Sequence, residues 1–152
     1  MALVVLSISI PPLVRVFRVV SQGSVDLTLQ EVAISYADSM LQEIVSKEFE
    51  DPDGSAGSFG TEESSRAEYD DVDDFDGLSN TPPQRLDGTP LDDYGGYSRR
   101  VIVNNVTAAN PDATSPETDG STSLKRITVY VRWTAGEGGE LSLSTLRGKV
   151  SG

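Results

Sequence analysis

The chain of 152 residues contains no cysteine and no histidine. Without cysteine it can build neither a disulfide framework nor a thiolate metal site. Without histidine it lacks the commonest general base, the Ser-His-Asp triad and the commonest zinc ligand. The expectation is therefore a non-catalytic protein; paired carboxylates such as Asp73 and Asp92 are the route left to a hydrolase. Positive charge is also scarce. Twelve Lys and Arg stand against 24 Asp and Glu, a net charge of −12, and the isoelectric point is near 4.2. Such a chain is repelled by phosphate backbones and anionic headgroups, so nucleic acid is not an expected partner. Apolar residues reach 37% and aromatic residues 7%. A globular domain usually carries about 45–50% apolar residues, glycine included. The packed core should be small and much of the chain should be loop.

What is present falls into four blocks. Residues 1–23 are the most apolar, with no charge from Met1 to Val14 and a Pro11-Pro12 pair near the end of that run. Residues 24–49 have helical periodicity. Val25, Leu29, Val32, Tyr36, Met40 and Ile44 recur at steps of three and four, which places them on one stripe. Asp51-Pro52-Asp53-Gly54 reads as the stop, since proline disfavours helix before it and Asp and Gly favour turns. Residues 50–96 show no sustained period and are rich in Asp, Gly, Ser and Pro. From Glu48 to Asp76 there are twelve acidic residues and one basic residue, Arg66. A run this charged cannot form a core alone. It is expected on the surface, anchored by Phe49, Phe59, Tyr69, Phe75 and Leu78.

Residues 97–152 hold the strands. Ile127, Val129, Val131 and Trp133 alternate with Arg126, Thr128, Tyr130 and Arg132, a strand with one buried face. Ala135-Gly136-Glu137-Gly138-Gly139 reads as a hairpin loop, Leu141 to Leu146 as the return strand, and Tyr97 to Val106 as a third strand. Trp133 is expected in the core. Tyr130, Arg126 and Arg132 would form an outward face. The fold class is α+β: one helix, from about residue 13 to 49, on a small antiparallel sheet, with residues 24–152 as one globular domain.

The first block decides the functional reading. A membrane-spanning helix needs about 20 mostly apolar residues. This chain offers 14 uncharged residues before Arg15 and Arg18. A secretory signal peptide is also a poor fit, because there is no basic start and no small-x-small cleavage site. A buried helix of a soluble protein is the plain alternative, against which Pro11-Pro12 stands. The reading that fits best has further apolar residues ahead of Met1, with Arg15 and Arg18 at the far interface, where their stems can snorkel.

Several stretches carry a resemblance: Ala2-Leu3-Val4-Val5-Leu6 with Pro11; Tyr36-Ala37-Asp38-Ser39-Met40-Leu41-Gln42-Glu43-Ile44; Glu68-Tyr69-Asp70-Asp71-Val72-Asp73-Asp74-Phe75; Tyr94-Gly95-Gly96-Tyr97; and Lys125-Arg126-Ile127-Thr128-Val129. In this order they resemble the type IV pilin and type II secretion pseudopilin family, most closely minor pilins of the mannose-sensitive haemagglutinin pilus type. The family's processing motif, a Gly followed by Phe/Met-Thr-Leu-Ile-Glu, is absent from this sequence, as is the disulfide-closed loop of major pilins. The resemblance implies a pilin-like structural subunit of a type IV pilus or a type II secretion filament. It would be held in the bacterial inner membrane by a single-pass helix, with its globular part on the outer side. Its partners would be other pilin or pseudopilin subunits, met through the N-terminal helix, and the membrane. The alternative is a membrane-anchored extracytoplasmic adhesion or calcium-binding module.

No cofactor is expected unless calcium is one. Asp71, Asp73, Asp74 and Asp76 are the candidate ligands, because hard cations take clustered carboxylates. The EF-hand template fails here: placing Asp74, Asp76 and Gly77 at its third, fifth and sixth positions puts Val72 first and Pro83 twelfth. A second set, Asp87, Asp92 and Asp93, offers ligands from the next loop to complete such a site. The competing expectation is that Arg66, Arg85, Arg99 and backbone amides neutralise the run. Asn105-Val106-Thr107 matches the N-glycosylation sequon, and Ser64-Ser65 and the serines and threonines of residues 114–123 are candidate O-glycosylation positions.

Overall fold

Residues 26–45 contain neither glycine nor proline and form one helix, α1. The structure, a computed structural model, describes residues 26–52, 61, 63–91, 96–113 and 121–149. The apolar block at residues 1–23, and the part of the expected helix that falls in it, lie outside the described residues. In α1, Ala33, Ala37, Met40 and Ile44 are fully buried, at steps of four, three and four. Leu29, Val32, Tyr36 and Leu41 pack partly buried beside them. From Leu29 to Ile44 the expected stripe is thus present, with two alanines added at its centre; Val25 lies outside the described residues. Their short side chains let the helix backbone come close to the sheet. Among the described residues no helix is long and apolar enough to cross a membrane.

The helix ends four residues before the expected boundary at Phe49. The Ser46 amide is shared between the carbonyls of Gln42 and Glu43, and the Lys47 amide turns back to Ile44, a tightened last turn. Glu48 is then taken by another partner. Its amide donates to the Asp70 carbonyl at 3.1 Å, and its carbonyl accepts from the Val72 amide at 3.1 Å. With both backbone groups engaged in this parallel bridge, Glu48 cannot continue the helix.

Four antiparallel strands form one sheet in the order β1-β2-β3-β4. They are β1 (Ser79–Asn80), β2 (Ser98–Asn105), β3 (Leu124–Trp133) and β4 (Gly139–Gly148). The register pairs Val101 with Val129, Val103 with Ile127, and Val129 with Leu143. Val101, Val103, Ile127, Val129, Val131 and Trp133 are buried against α1, as the alternation requires. Leu141 and Leu143 are only partly buried, because β4 is an edge strand with one neighbour. The Tyr97 hydroxyl donates to the Leu29 carbonyl at 3.0 Å, and its ring meets Tyr36 edge-on, which ties the helix to the start of β2.

The β3–β4 hairpin turns where its glycines are. Gly136 and Gly138 have φ of 64° and 71°, a region glycine enters without steric cost. Gly139 is required for a different reason. A Cβ there would lie 2.4 Å from the Trp133 ring, which covers that position.

The acidic third block departs from expectation. Asp71, Val72, Asp73, Asp74 and Phe75 are all buried, and Val72 and Phe75 belong to the main core cluster. A second 3₁₀ turn, Asp73–Phe75, follows a first at Arg66–Glu68. The run is therefore partly a core element and not only a solvated surface. The physical reason lies in what its carboxylates bind.

Candidate functional site

The turn at residues 70–76 holds five aspartates, and the backbone geometry explains how they can be buried. A turn exposes amides that no helix or sheet satisfies, and a carboxylate beside it can accept them. Asp71 Oδ1 accepts from the Asp73 amide at 2.5 Å and the Asp74 amide at 3.2 Å. Asp74 Oδ2 accepts from the Asp70 amide at 2.9 Å and the Asp71 amide at 3.2 Å. The two side chains thus close the turn from opposite ends. Asp76 Oδ1 accepts from the Val103 amide at 2.8 Å and docks the turn on β2.

Asp73 faces a cation. Its Oδ2 accepts from Lys125 Nζ at 2.5 Å, with both side chains nearly inaccessible. The same ammonium donates to the Phe49 carbonyl at 2.5 Å and stands 4.5 Å from the centre of the Phe49 ring. A buried ammonium is tolerated when its protons are matched in this way. Burial pushes the Asp71 carboxyl above its ordinary value, helped by the neighbouring Asp74 charge; the amide bonds and Lys125 oppose that shift.

The four expected calcium ligands are therefore divided among three sets of partners. Asp71 and Asp74 hold amides of the turn, Asp73 holds Lys125 and Asp76 holds β2. Among the described residues, Asp74 is the one of the four that joins a carboxylate cluster, with Glu63 and Asp70; one oxygen from each of these three lies within 4.8 Å of the others. Asp87 is exposed and accepts from the Thr89 amide at 2.9 Å, a bond that with the Thr89 hydroxyl holds its carboxyl below the ordinary range. Asp92, Asp93 and Phe59 lie outside the described residues.

The expected neutralising arginines act elsewhere. Arg66 makes a two-pronged pair with Glu43 of α1, at 2.7 and 2.9 Å, and also donates to the carbonyls of Gln84 and Arg85. Arg99 is buried and donates to Gln84 O at 2.8 Å. Burial and the nearby Arg66 charge lower its pKa to about 10. Lys125, absent from the expected set, is the residue that meets the acidic turn. One signal for it stands in the sequence. Lys125 is two residues ahead of Ile127, so the alternation that buries Ile127, Val129, Val131 and Trp133 also points Lys125 inward.

The outward face of the sheet is partly as expected. Tyr130 lies there with the Arg100 guanidinium 4.3 Å above its ring. Ser79, Thr81, Ser98, Arg100 and Arg132 line a shallow groove beside it. Arg126 is not available to that face. It donates to the carbonyls of Pro111 and Ala113 at 2.9 and 2.8 Å. Asn105 is 1% exposed, so the sequon's asparagine cannot take a glycan in the folded chain. Ser64 and Ser65 both donate to Glu68, which lowers its pKa.

No protein-family model, curated protein or solved structure matches this chain, so its function has to be argued from its own residues and their geometry.

Proposed function

We propose that the chain is a non-catalytic, pilin-like structural subunit, a minor pilin or pseudopilin, of a type IV pilus or type II secretion filament. In this reading the apolar segment at residues 1–23 is held in the bacterial inner membrane and later buried among the helices of neighbouring subunits. The globular part faces outward. The observation that carries the reading is the two-sided apolar pattern of α1. Its inner stripe is covered by the sheet, while Leu27 and Ile34 stand 63% and 48% exposed. They are seven residues apart and so lie near one line of the helix. An exposed apolar line on a helix that follows an apolar segment fits a surface that a neighbouring helix covers. The α+β arrangement, one helix against one face of a four-stranded antiparallel sheet, supports the same reading.

The chain lacks cysteine, so single cysteines report neighbours without background. The gene is expressed from its own locus with Leu27→Cys or Ile34→Cys, treated with a bifunctional thiol reagent, and fractionated after shearing. The expected result is recovery of cross-linked species from the membrane and the sheared filaments. Recovery only as an uncross-linked cytosolic protein would overturn the proposal.

A further inference from the structure

We propose that Glu63, Asp70 and Asp74 form a binding site for a hard divalent cation, calcium. This inference is independent of the filament reading. Three carboxylate oxygens, one from each residue, lie within 4.8 Å of one another. A calcium ion with bonds of about 2.3–2.6 Å spans oxygens at such separations. A second observation points to a ligand. Asp74 is 1% exposed, and its Oδ1 is buried with no hydrogen-bond donor among the described residues. Its Oδ2 is already held by the amides of Asp70 and Asp71. Oδ1 is therefore the oxygen of Asp74 that the turn amides leave over. A buried carboxylate oxygen without a donor is costly, and a cation at the cluster removes that cost.

The chemistry selects the ion. The site offers only oxygen, which suits calcium or magnesium and disfavours the softer transition metals. Its ligands come from two separate loop positions and one 3₁₀ turn, an irregular set. Calcium accepts six to eight ligands in flexible geometry, whereas magnesium demands a near-ideal octahedron. Water would complete the shell. Asp71, Asp73 and Asp76 are not members of this cluster; one oxygen of each accepts from a backbone amide or from Lys125. The bound ion would tie the Glu63 segment to the turn that docks on Glu48 and Lys125.

The test uses the full chain, purified in detergent and stripped with chelator. Calcium, magnesium and sodium chlorides are added at matched ionic strength. Binding is read by titration calorimetry and stability by thermal midpoint. The variants are Glu63→Gln, Asp74→Asn and, as control, the exposed Asp112→Asn. With three protein carboxylates the expected Kd for calcium is about 10⁻⁴–10⁻³ M, the range of weak extracellular sites. Saturating calcium should raise the midpoint by about 4 °C. Glu63→Gln should weaken binding at least tenfold, with each variant's calcium response read against its own chelated midpoint. Asp74→Asn should weaken it as much, and Asp112→Asn should behave as the parent. An unchanged parental midpoint with calcium, or a calcium response in Glu63→Gln and Asp74→Asn equal to the parent's, would overturn the proposal. Magnesium acting as strongly as calcium would overturn the choice of ion.

Discussion

Two lysine–carboxylate pairs of nearly equal length join the segment after α1 to the sheet. Lys125 meets Asp73 at 2.5 Å, and Lys149 meets Glu50 at 2.6 Å. Their surroundings differ completely. The first pair is 1% and 4% exposed, the second 47% and 44%. Lys125 has Asp73, the Phe49 carbonyl and the Phe49 ring as partners, whereas the geometry around Lys149 shows one carboxylate. Distance therefore does not rank these interactions; desolvation does. A charge that has lost its water depends on every remaining partner, while an exposed charge returns to water at little cost.

The largest expected effect tests the buried side of this comparison. Lys125→Ala removes the ammonium that faces the buried Asp73 carboxylate and should cost about 3–5 kcal/mol. Denaturant unfolding of the variant measures it. The double change Lys125→Met with Asp73→Leu removes both charges and should recover most of the loss, because buried pairs are often matched by apolar replacements. A single variant within 1 kcal/mol of the parent, as roughly expected of a surface pair, would break the comparison.

The second effect isolates the ring. Phe49→Leu keeps an apolar side chain but removes the aromatic face over Lys125. A desolvated cation–π contact is worth about 2 kcal/mol, and a volume-conserving core change costs less than about 1.5 kcal/mol. A loss of about 1–3 kcal/mol is expected, again by unfolding. If Phe49→Leu were harmless in the parent, the lysine would be held by Asp73 and the carbonyl alone.

These residues also mark where the sequence can be read and where it cannot. The sheet is legible because its alternation is local: Ile127 to Trp133 carry their own period, and the glycines of residues 136–139 fix the turn. The helix stripe is legible for the same reason, except that Ala33 and Ala37 are too small to register as core by hydrophobicity. The helix end is not, since it depends on Glu48 pairing with Asp71, a contact across 23 residues. The acidic turn misleads because composition counts charges and not the amides that bind them. Asp71 and Asp74 are buried by bonds to their own turn, and Asp73 by a lysine 52 positions away. Carboxylates that are neighbours in sequence thus face different partners, and the oxygens of Glu63 and Asp74, eleven positions apart, come together with one of Asp70.

Asp71 gives a smaller effect with a definite sign. Burial raises its folded-state pKa above the ordinary 3.8, while Lys125 is one of the groups opposing that rise. An acid whose folded pKa is raised favours the protonated folded state. Its contribution is fully present below 3.8 and is lost as pH rises through the folded value. Asn resembles the protonated form and keeps an oxygen for the Asp73 and Asp74 amides. Asp71→Asn should therefore gain on the parent as pH rises from the acid range to neutrality. Unfolding curves of both proteins between about pH 3 and 7 measure the difference. A gap that narrows with rising pH would show that the amide bonds outweigh burial. In a Lys125→Met background the gap at neutral pH should widen, because one opposing charge is gone.

The smallest effect is expected at the exposed pair, and it completes the comparison. Lys149 and Glu50 are each close to half exposed, so water screens their attraction and hydrates either partner when the other is removed. Holding two long side chains in one geometry also costs rotamer entropy, which offsets the Coulomb gain. A double-mutant cycle with Lys149→Ala and Glu50→Gln isolates the coupling from other losses of the single changes. The expected coupling is about 0.2–1 kcal/mol at low salt. It should shrink toward zero in 1 M salt, where the Debye length falls to about 3 Å. The same cycle on Lys125 and Asp73 should give several kcal/mol with little salt dependence, because that pair is out of reach of mobile ions. Equal coupling in the two cycles, or equal loss with salt, would mean that the short distance and not the burial sets the strength of both.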